Sequence, residues 1–296
     1  MNQGRALFLY SNATGRGKVF RDIAKIKARL SLCFEEFVSH QTSSMEEGME
    51  LARKACGKYQ YLIIAGGDGT MNHIVNVLAK EENPPILGYI NAGTICDIGS
   101  DFGIHGHYHR ALKIIEEGYT KHFDVGIINH QYYFGYVAAI GSFADIPYIT
   151  PRAYKKRIGR IAYYTVAAKE ALFTFKKIPV HVEVDGRHYD LNVPFVLLLS
   201  GKKVGGFVVN TSDHRIDDGK MELFLTKPGL FNGLVHYLFF KTRTVKLRGS
   251  HFKITLDYPY PWCIDGEAGP SGSVEIEVLP RKLTMFCAKK IANNRK

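Results

Sequence analysis

Two rhythms of apolar and polar positions divide the chain. Short apolar runs at 5–10, 33–38, 60–65 and 86–90 have the length of buried strands. Stretches near 18–30, 44–56, 70–81 and 108–117 carry apolar residues at helical spacing. Strands alternating with helices predict a parallel sheet with helices on both faces. From about residue 123 the texture changes. Segments 123–129, 132–140, 180–184, 195–200, 221–226, 251–256 and 273–278 read as strands, many linked by turns such as Asp185-Gly186 and Asp218-Gly219. Helix-like patterns interrupt them near 158–177 and 229–242. The expectation is an α/β N-terminal domain with a doubly wound parallel sheet over 1–122, then a mainly antiparallel, β-rich domain over 123–281.

The densest chemistry lies at the end of the third apolar run. Leu62-Ile63-Ile64-Ala65 reads as a buried strand, Gly66, Gly67 and Gly69 as a turn, and Ile74, Val75, Leu78 and Ala79 as one face of a helix. A strand entering a helix through glycines leaves backbone N–H groups at the positive end of a helix, where phosphate binds. Asp68 lies within that turn, and an acid beside a phosphate requires a metal ion or a proton to offset it. Turn, acid and helix start together point to a nucleotide and its metal ion. A Walker loop is excluded because Gly17-Lys18 is followed by Val19, and no segment here supplies the Gly-x-Gly-x-x-Gly dinucleotide fingerprint.

Composition narrows the class. Hydrophobic residues make up 46% and charged residues 23%, as in ordinary globular proteins. Runs 193–199 and 234–240 fall short of the roughly 20 apolar residues that span a bilayer. Residues 6–10 read as a strand and not as the apolar core of a signal peptide. Cys33, Cys56, Cys96, Cys263 and Cys287 are scattered and read as thiols of a reducing cytoplasm. The net charge of +11 asks for an anionic partner. Arg152, Lys155, Lys156, Arg157 and Arg160 lead into an aromatic-rich helical stretch. That suits the interface of an anionic membrane, and equally a core-facing helix with a solvated end. No nucleic-acid-binding signature is present.

Several motifs now carry a family resemblance. Gly66-Gly67-Asp68-Gly69-Thr70 resembles the nucleotide motif of the diacylglycerol kinase catalytic family, which includes soluble bacterial lipid kinases and sphingosine kinases. NAD kinases share these five residues, but the other segments favour the lipid kinases. Ser11-Asn12-Ala13-Thr14-Gly15 is similar to an Asn-Pro-x-Ser-Gly turn, and Asn91-Ala92-Gly93-Thr94-Ile95-Cys96-Asp97 to Pro-x-Gly-Thr-x-Asn-Asp. Phe123-Asp124-Val125-Gly126, the Asp-Gly turn at Asp218-Gly219, and Asp265-Gly266-Glu267 follow in the family's order. His73, Cys96, Ala13 and Asn91 depart from the pattern: His73 stands for Glu, Cys96 for Asn, and the other two for proline.

The resemblance implies a kinase that uses ATP and Mg2+ to phosphorylate a hydroxyl of diacylglycerol or a similar lipid, in the cytoplasm and peripheral to the inner face of the membrane. It surrounds the nucleotide with Asn12, Thr42, Gly66, Gly67, Asp68, Gly69, Thr70 and Thr94. It gives Asp68, Asp97 and Asp124 to hydrated magnesium, and Arg215, Asp218 and Lys220 to a second, structural magnesium held partly by backbone carbonyls. It assigns proton acceptance to Asp265-Gly266-Glu267. Crowding of the two carboxylates would raise one pKa; Glu267 is favoured as the base, with Asp265 as its partner. It also returns the tail, 282–296, to the first domain. A homodimer is one assembly open to the chain. The rival readings are an NAD kinase and a non-catalytic nucleotide- or lipid-binding homologue.

Overall fold

The computed structural model describes residues 2–11, 18–93, 96–141, 177–204, 207–210, 215–226 and 244–293. The expected helix at 229–242 and, apart from Lys177, that at 158–177 lie outside these residues. So do Asn12, Thr94 and the basic stretch with Lys155, Lys156, Arg157 and Arg160.

The N-terminal domain is α/β. Strands β1 (Asn2–Tyr10), β2 (Phe34–Gln41), β3 (Tyr61–Gly66) and β4 (Ile86–Asn91) pair in parallel in the order β2-β1-β3-β4. Helices α1 (Lys18–Arg21), α2 (Ile23–Ser31), α3 (Met45–Ala55), α4 (Asp68–Leu78), α5 (Asp97–Asp101) and α6 (Tyr108–Glu117) connect or follow them. Leu62, Ile63, Ile64 and Ala65 are all buried, as a strand covered on both faces requires. Ser44 caps α3 by accepting the Glu47 N–H at 3.1 Å, and α6 stops at Gly118, whose φ of 73° is left-handed.

The C-terminal domain is antiparallel and β-rich. Its described strands are β5 (Thr120–Ile128), β6 (Tyr132–Phe134), β7 (Val137–Gly141), β8 (Ile178–Val184), β9 (Arg187–Val193), β10 (Phe195–Leu199), β11 (Lys203–Val204), β12 (Phe207–Val208), β13 (Met221–Thr226), β14 (Thr244–Gly249), β15 (His251–Leu256), β16 (Pro261–Ile264), β17 (Glu267–Ser271) and β18 (Val274–Phe286). A short helix, α7 (Lys289–Ala292), follows. One sheet runs β14-β13-β10-β7-β16-β17. The other domain face, β15-β8-β9, is continuous with the parallel sheet through β18. Between the two faces Trp262, Phe252, Phe134, Ile254 and Leu198 form a second apolar core.

Strand β18 joins the domains. Its first part pairs with β15, its last part runs parallel to β4, and β5 lies along it antiparallel. The sequence reading had a strand ending at 278 and a separate returning tail; the structure has one strand of 13 residues. The polar interruption at Pro280-Arg281-Lys282 that hid its continuity is an irregularity in the β5 pairing, with Arg281 at a φ of 51°. The expected strand at 132–140 is divided into β6 and β7 by Gly135-Tyr136.

Candidate active site

All four parallel strands end at the same sheet edge, and the order reverses between β1 and β3, where ligands bind in open α/β sheets. At this edge Thr42 is buried, with its N–H 2.8 Å and its hydroxyl 3.3 Å from the Tyr10 carbonyl oxygen. Helix α4 begins at Asp68, earlier than its apolar spacing predicts, because Gly66 is still strand and Gly67 is the N-cap. Neither glycine is left-handed. Gly66 leaves room for Thr70, whose Cβ would stand 2.6 Å from an added Cβ, and Gly67 faces Gly93, whose Cα would stand 3.5 Å away. The Ala92 N–H donates to the Gly66 carbonyl at 2.8 Å. The turns after β3 and β4 are thus packed edge to edge, with the α4 N-terminus open between them.

Two acids meet there. The Asp97 N–H donates to Asp68 Oδ2 at 3.2 Å, and the buried Tyr89 hydroxyl lies 3.3 Å from Asp68 Oδ1 and 3.2 Å from Asn91 Oδ1. Burial first, and the nearby Asp97 second, push the Asp68 carboxyl up to about 7. An acid in the first turn suits the helix dipole, but a second acid beside it does not. The pair therefore fits a cation that takes one or two carboxylates and otherwise keeps water or phosphate oxygens, as magnesium does. Among the described residues no group of three or more His, Cys, Asp or Glu side chains is placed to hold a metal ion.

Asp265 and Gly266 are the centre of a two-residue hairpin between β16 and β17, with φ of 49° and 87° as a type I′ turn demands. Asp265 is only 3% exposed. Its carboxylate accepts the N–H groups of Gly135 at 2.7 Å, Tyr136 at 3.1 Å and Val137 at 2.7 Å. Its own N–H donates to the Val137 carbonyl at 2.9 Å. Burial pushes this carboxyl up to about 7 against the pull of those donors. Crowding by Glu267, the cause expected from the sequence, is not among the causes. Asp265 thereby clamps the hairpin to the start of β7 and the two residues before it. Glu267, the next residue but one, is exposed, and its Oε1 would stand 3.4 Å from a Cβ placed on Gly69. The hairpin thus carries a carboxylate onto the glycine turn of the other domain. Tyr136, pushed well above the usual tyrosine range by burial and then by Asp68, Asp265 and Asp97, lies near all three acids.

Asp124 stands apart from Asp68 and Asp97 in its bonding. Fully buried, it accepts the Gly219 N–H at 2.7 Å and the N–H of Arg281, in the β18 irregularity, at 2.8 Å. Burial raises its pKa, and the next acids are Asp218 and Asp217. Asp124 therefore belongs to the loop at 215–220. The resemblance gave it to magnesium with the other two; its carboxylate here is bonded to the N–H groups of Gly219 and Arg281.

That loop holds Arg215, Asp218 and Lys220, but its acids already have cationic partners. Asp218 accepts the Lys220 N–H at 3.2 Å and is ion-paired with Arg248. Asp217 lies 3.3 Å from Lys121 and 3.5 Å from Arg215. The side chains of these two acids leave no unpaired carboxylate here for a further divalent cation.

Of the four departures, Ala13 lies outside the described residues. Asn91, where the family has proline, accepts the Gly93 N–H at 2.9 Å and so makes the turn with its side chain. Cys96 donates to the Ile104 carbonyl at 3.3 Å, and burial pushes its thiol up to about 12. His73 adds to the pull that lowers Glu46 in α3, behind that residue's own N–H and Ser44. The sequence reading missed Tyr89, Tyr136 and the N–H groups of Gly135, Tyr136 and Val137 around Asp265. Nothing in the local pattern of an apolar strand distinguishes them.

Residues 5–128 match the diacylglycerol kinase catalytic domain. A diacylglycerol kinase of Staphylococcus aureus (strain MRSA252) is 30% identical over 303 aligned residues, covering 98% of this chain and 94% of that protein. A solved diacylglycerol kinase structure from Bacillus anthracis str. Sterne superposes with a TM-score of 0.80 at 21% identity, covering 97% of this chain and 98% of the other. A second solved chain from that strain gives 0.86 at 23% identity, covering 97% and 96%. Near-complete alignment at that identity, over a fold that joins the glycine turn to the Asp-Gly-Glu hairpin, makes the chain a member of the diacylglycerol kinase catalytic-domain family and a lipid kinase.

Proposed function

We propose that this lipid kinase transfers the γ-phosphoryl group of ATP to a hydroxyl of diacylglycerol or a similar lipid, with magnesium, at the surface of an anionic membrane. The observation that carries the reading is the Glu267 carboxylate set against Gly69, at the mouth of the α4 N-terminus. Phosphates would lie on the open N–H groups of α4 and its Gly67-Asp68-Gly69 turn, with Thr42 and, by resemblance, Asn12 and Thr94 around the nucleotide. Asp68 and Asp97 would hold magnesium, which when bound supplies charge offset on the phosphates. Glu267 would take the proton from the attacking lipid hydroxyl while Asp265 fixes the hairpin that aims it. Tyr89 and the Asp97 N–H hold Asp68 in place.

In this division of labour residues 1–122, with the tail 282–296, bind nucleotide, and 123–281 bind lipid. The net charge of +11 and the basic stretch at 152–160 support contact with anionic headgroups. Among the described residues no helix is long and apolar enough to cross a membrane. The test is incubation with labelled ATP and magnesium in lipid micelles, with diacylglycerol, other lipid alcohols and NAD as separate acceptors. Label in diacylglycerol or a related lipid, dependent on magnesium, is expected; label in NAD alone, or in nothing, overturns the proposal.

A further inference from the structure

We propose that Arg248 is the resident cation of the Asp218 turn, so that the turn is held without a structural magnesium ion. Arg248 lies directly opposite Glu222 in the β13–β14 pairing. Its Nε is 3.3 Å from Glu222 Oε1, and its Nη2 is ion-paired with Asp218 Oδ2. Glu222 is 1% exposed, so its carboxylate depends on a positive partner. The planar guanidinium bridges the two acids, one on a strand and one on a turn, from a position set by the β ladder.

Other acceptors around the turn are also engaged. Asp218 Oδ1 accepts the Lys220 N–H, the Asp217 carbonyl accepts Arg281 Nε at 3.2 Å, and Asp124 accepts the Gly219 and Arg281 N–H groups. A divalent ion at Asp218 would meet Arg248 at contact range, and displacing the guanidinium would strip the buried Glu222 of that partner. This inference concerns stability of the fold and holds whether or not the phosphoryl acceptor proposed above is correct.

The test is thermal unfolding of the full-length, nucleotide-free protein in EDTA and in millimolar magnesium, for wild type, Asp218→Asn, Arg248→Met and Arg248→Met/Asp218→Asn. Wild type is expected to show no Tm change that depends on Asp218. Arg248→Met should gain a magnesium-dependent rise of about 3 °C or more, absent from the double variant. A magnesium-dependent rise in wild type that Asp218→Asn abolishes overturns the proposal, and so does an Arg248→Met protein insensitive to magnesium. If Arg248→Met does not fold, wild type and Asp218→Asn decide: equal responses to magnesium support the resident cation, and a wild-type rise lost with Asp218 refutes it. Phosphorylation assays are run separately, so loss of activity cannot be mistaken for either outcome.

Discussion

The carboxylate of Glu267 rests against Gly69, so close that a side-chain carbon on the glycine would stand 3.4 Å from Oε1. The two residues are far apart in sequence and belong to different domains. Their approach brings an acid from the β16–β17 hairpin to the open end of α4, where the phosphates of a nucleotide would be held.

Replacement of Glu267 by Gln therefore tests the base directly. Turnover should fall by about two to four orders of magnitude with little change in ATP affinity, since general-base catalysis contributes on that scale. Single-turnover phosphorylation of the lipid, with nucleotide binding measured alongside, reads both quantities. A near-wild-type rate would move the base elsewhere.

Asp265 should respond differently from its neighbour. Asp265→Ala leaves the N–H groups of Gly135, Tyr136 and Val137 without their buried acceptor. Stability should drop by about 3 kcal/mol or more, given about 1–3 kcal/mol for each orphaned buried donor, partly relieved by water entry. The exposed Glu267→Gln should stay within about 0.5 kcal/mol of wild type. Urea unfolding of the two variants compares them, and equal stabilities would remove Asp265 from its positioning role.

Asp68 gives a pH signature. Its pKa rises from 3.8 to about 7 on folding, so between those values the native state retains a proton that the unfolded chain has released. Unfolding then releases protons, and this group's contribution to stability is full below the unfolded value and is lost as pH rises through about 7. Asp265 adds a slope of the same sign. In metal-free, nucleotide-free buffer, Asp68→Asn should make the decline of stability with pH shallower. Urea unfolding series from acid to neutral pH measure it; an unchanged slope would mean that Asp68 is not carrying the extra proton.

The glycines of the turn should separate by sterics. Gly66→Ala drives a Cβ to within 2.6 Å of Thr70 Cβ, whereas Gly67→Ala meets Gly93 Cα at an ordinary 3.5 Å in extended backbone. Overpacking should cost Gly66→Ala about 1–3 kcal/mol, and Gly67→Ala should fold much as wild type. Thermal unfolding ranks them, and a Gly67→Ala protein less stable than Gly66→Ala would contradict the packing.

Much of the site was legible because its parts are local. The apolar run before Gly66, the periodic run after it and the acid between them specify a strand, a turn and a helix start wherever they occur. Asp185-Gly186 announces a hairpin turn because Asp and Gly accept the left-handed backbone that its two centres take. Strands β9, β14, β16 and β17 and the extension of β18 escaped; polar residues at sheet edges in β9, β14 and β17, and an irregularity at 280–282 in β18, erase the apolar pattern that marks a strand.

The sequence by itself determined the alternation of strands and helices, the antiparallel second half and the residues of the glycine turn, because these depend on neighbours within a few positions. Tertiary structure alone decided which acids work together. Asp68 meets Asp97 because the turns after β3 and β4 lie edge to edge, while Asp124 is drawn away by the N–H groups of Gly219 and Arg281. Asp265 is buried against β7 while Glu267 reaches Gly69, and Arg248, set opposite Glu222 by a strand pairing, meets Asp218 on the preceding turn. A carboxylate's role is set by the donors and charges that surround it in space, and those come from segments whose proximity no local pattern encodes.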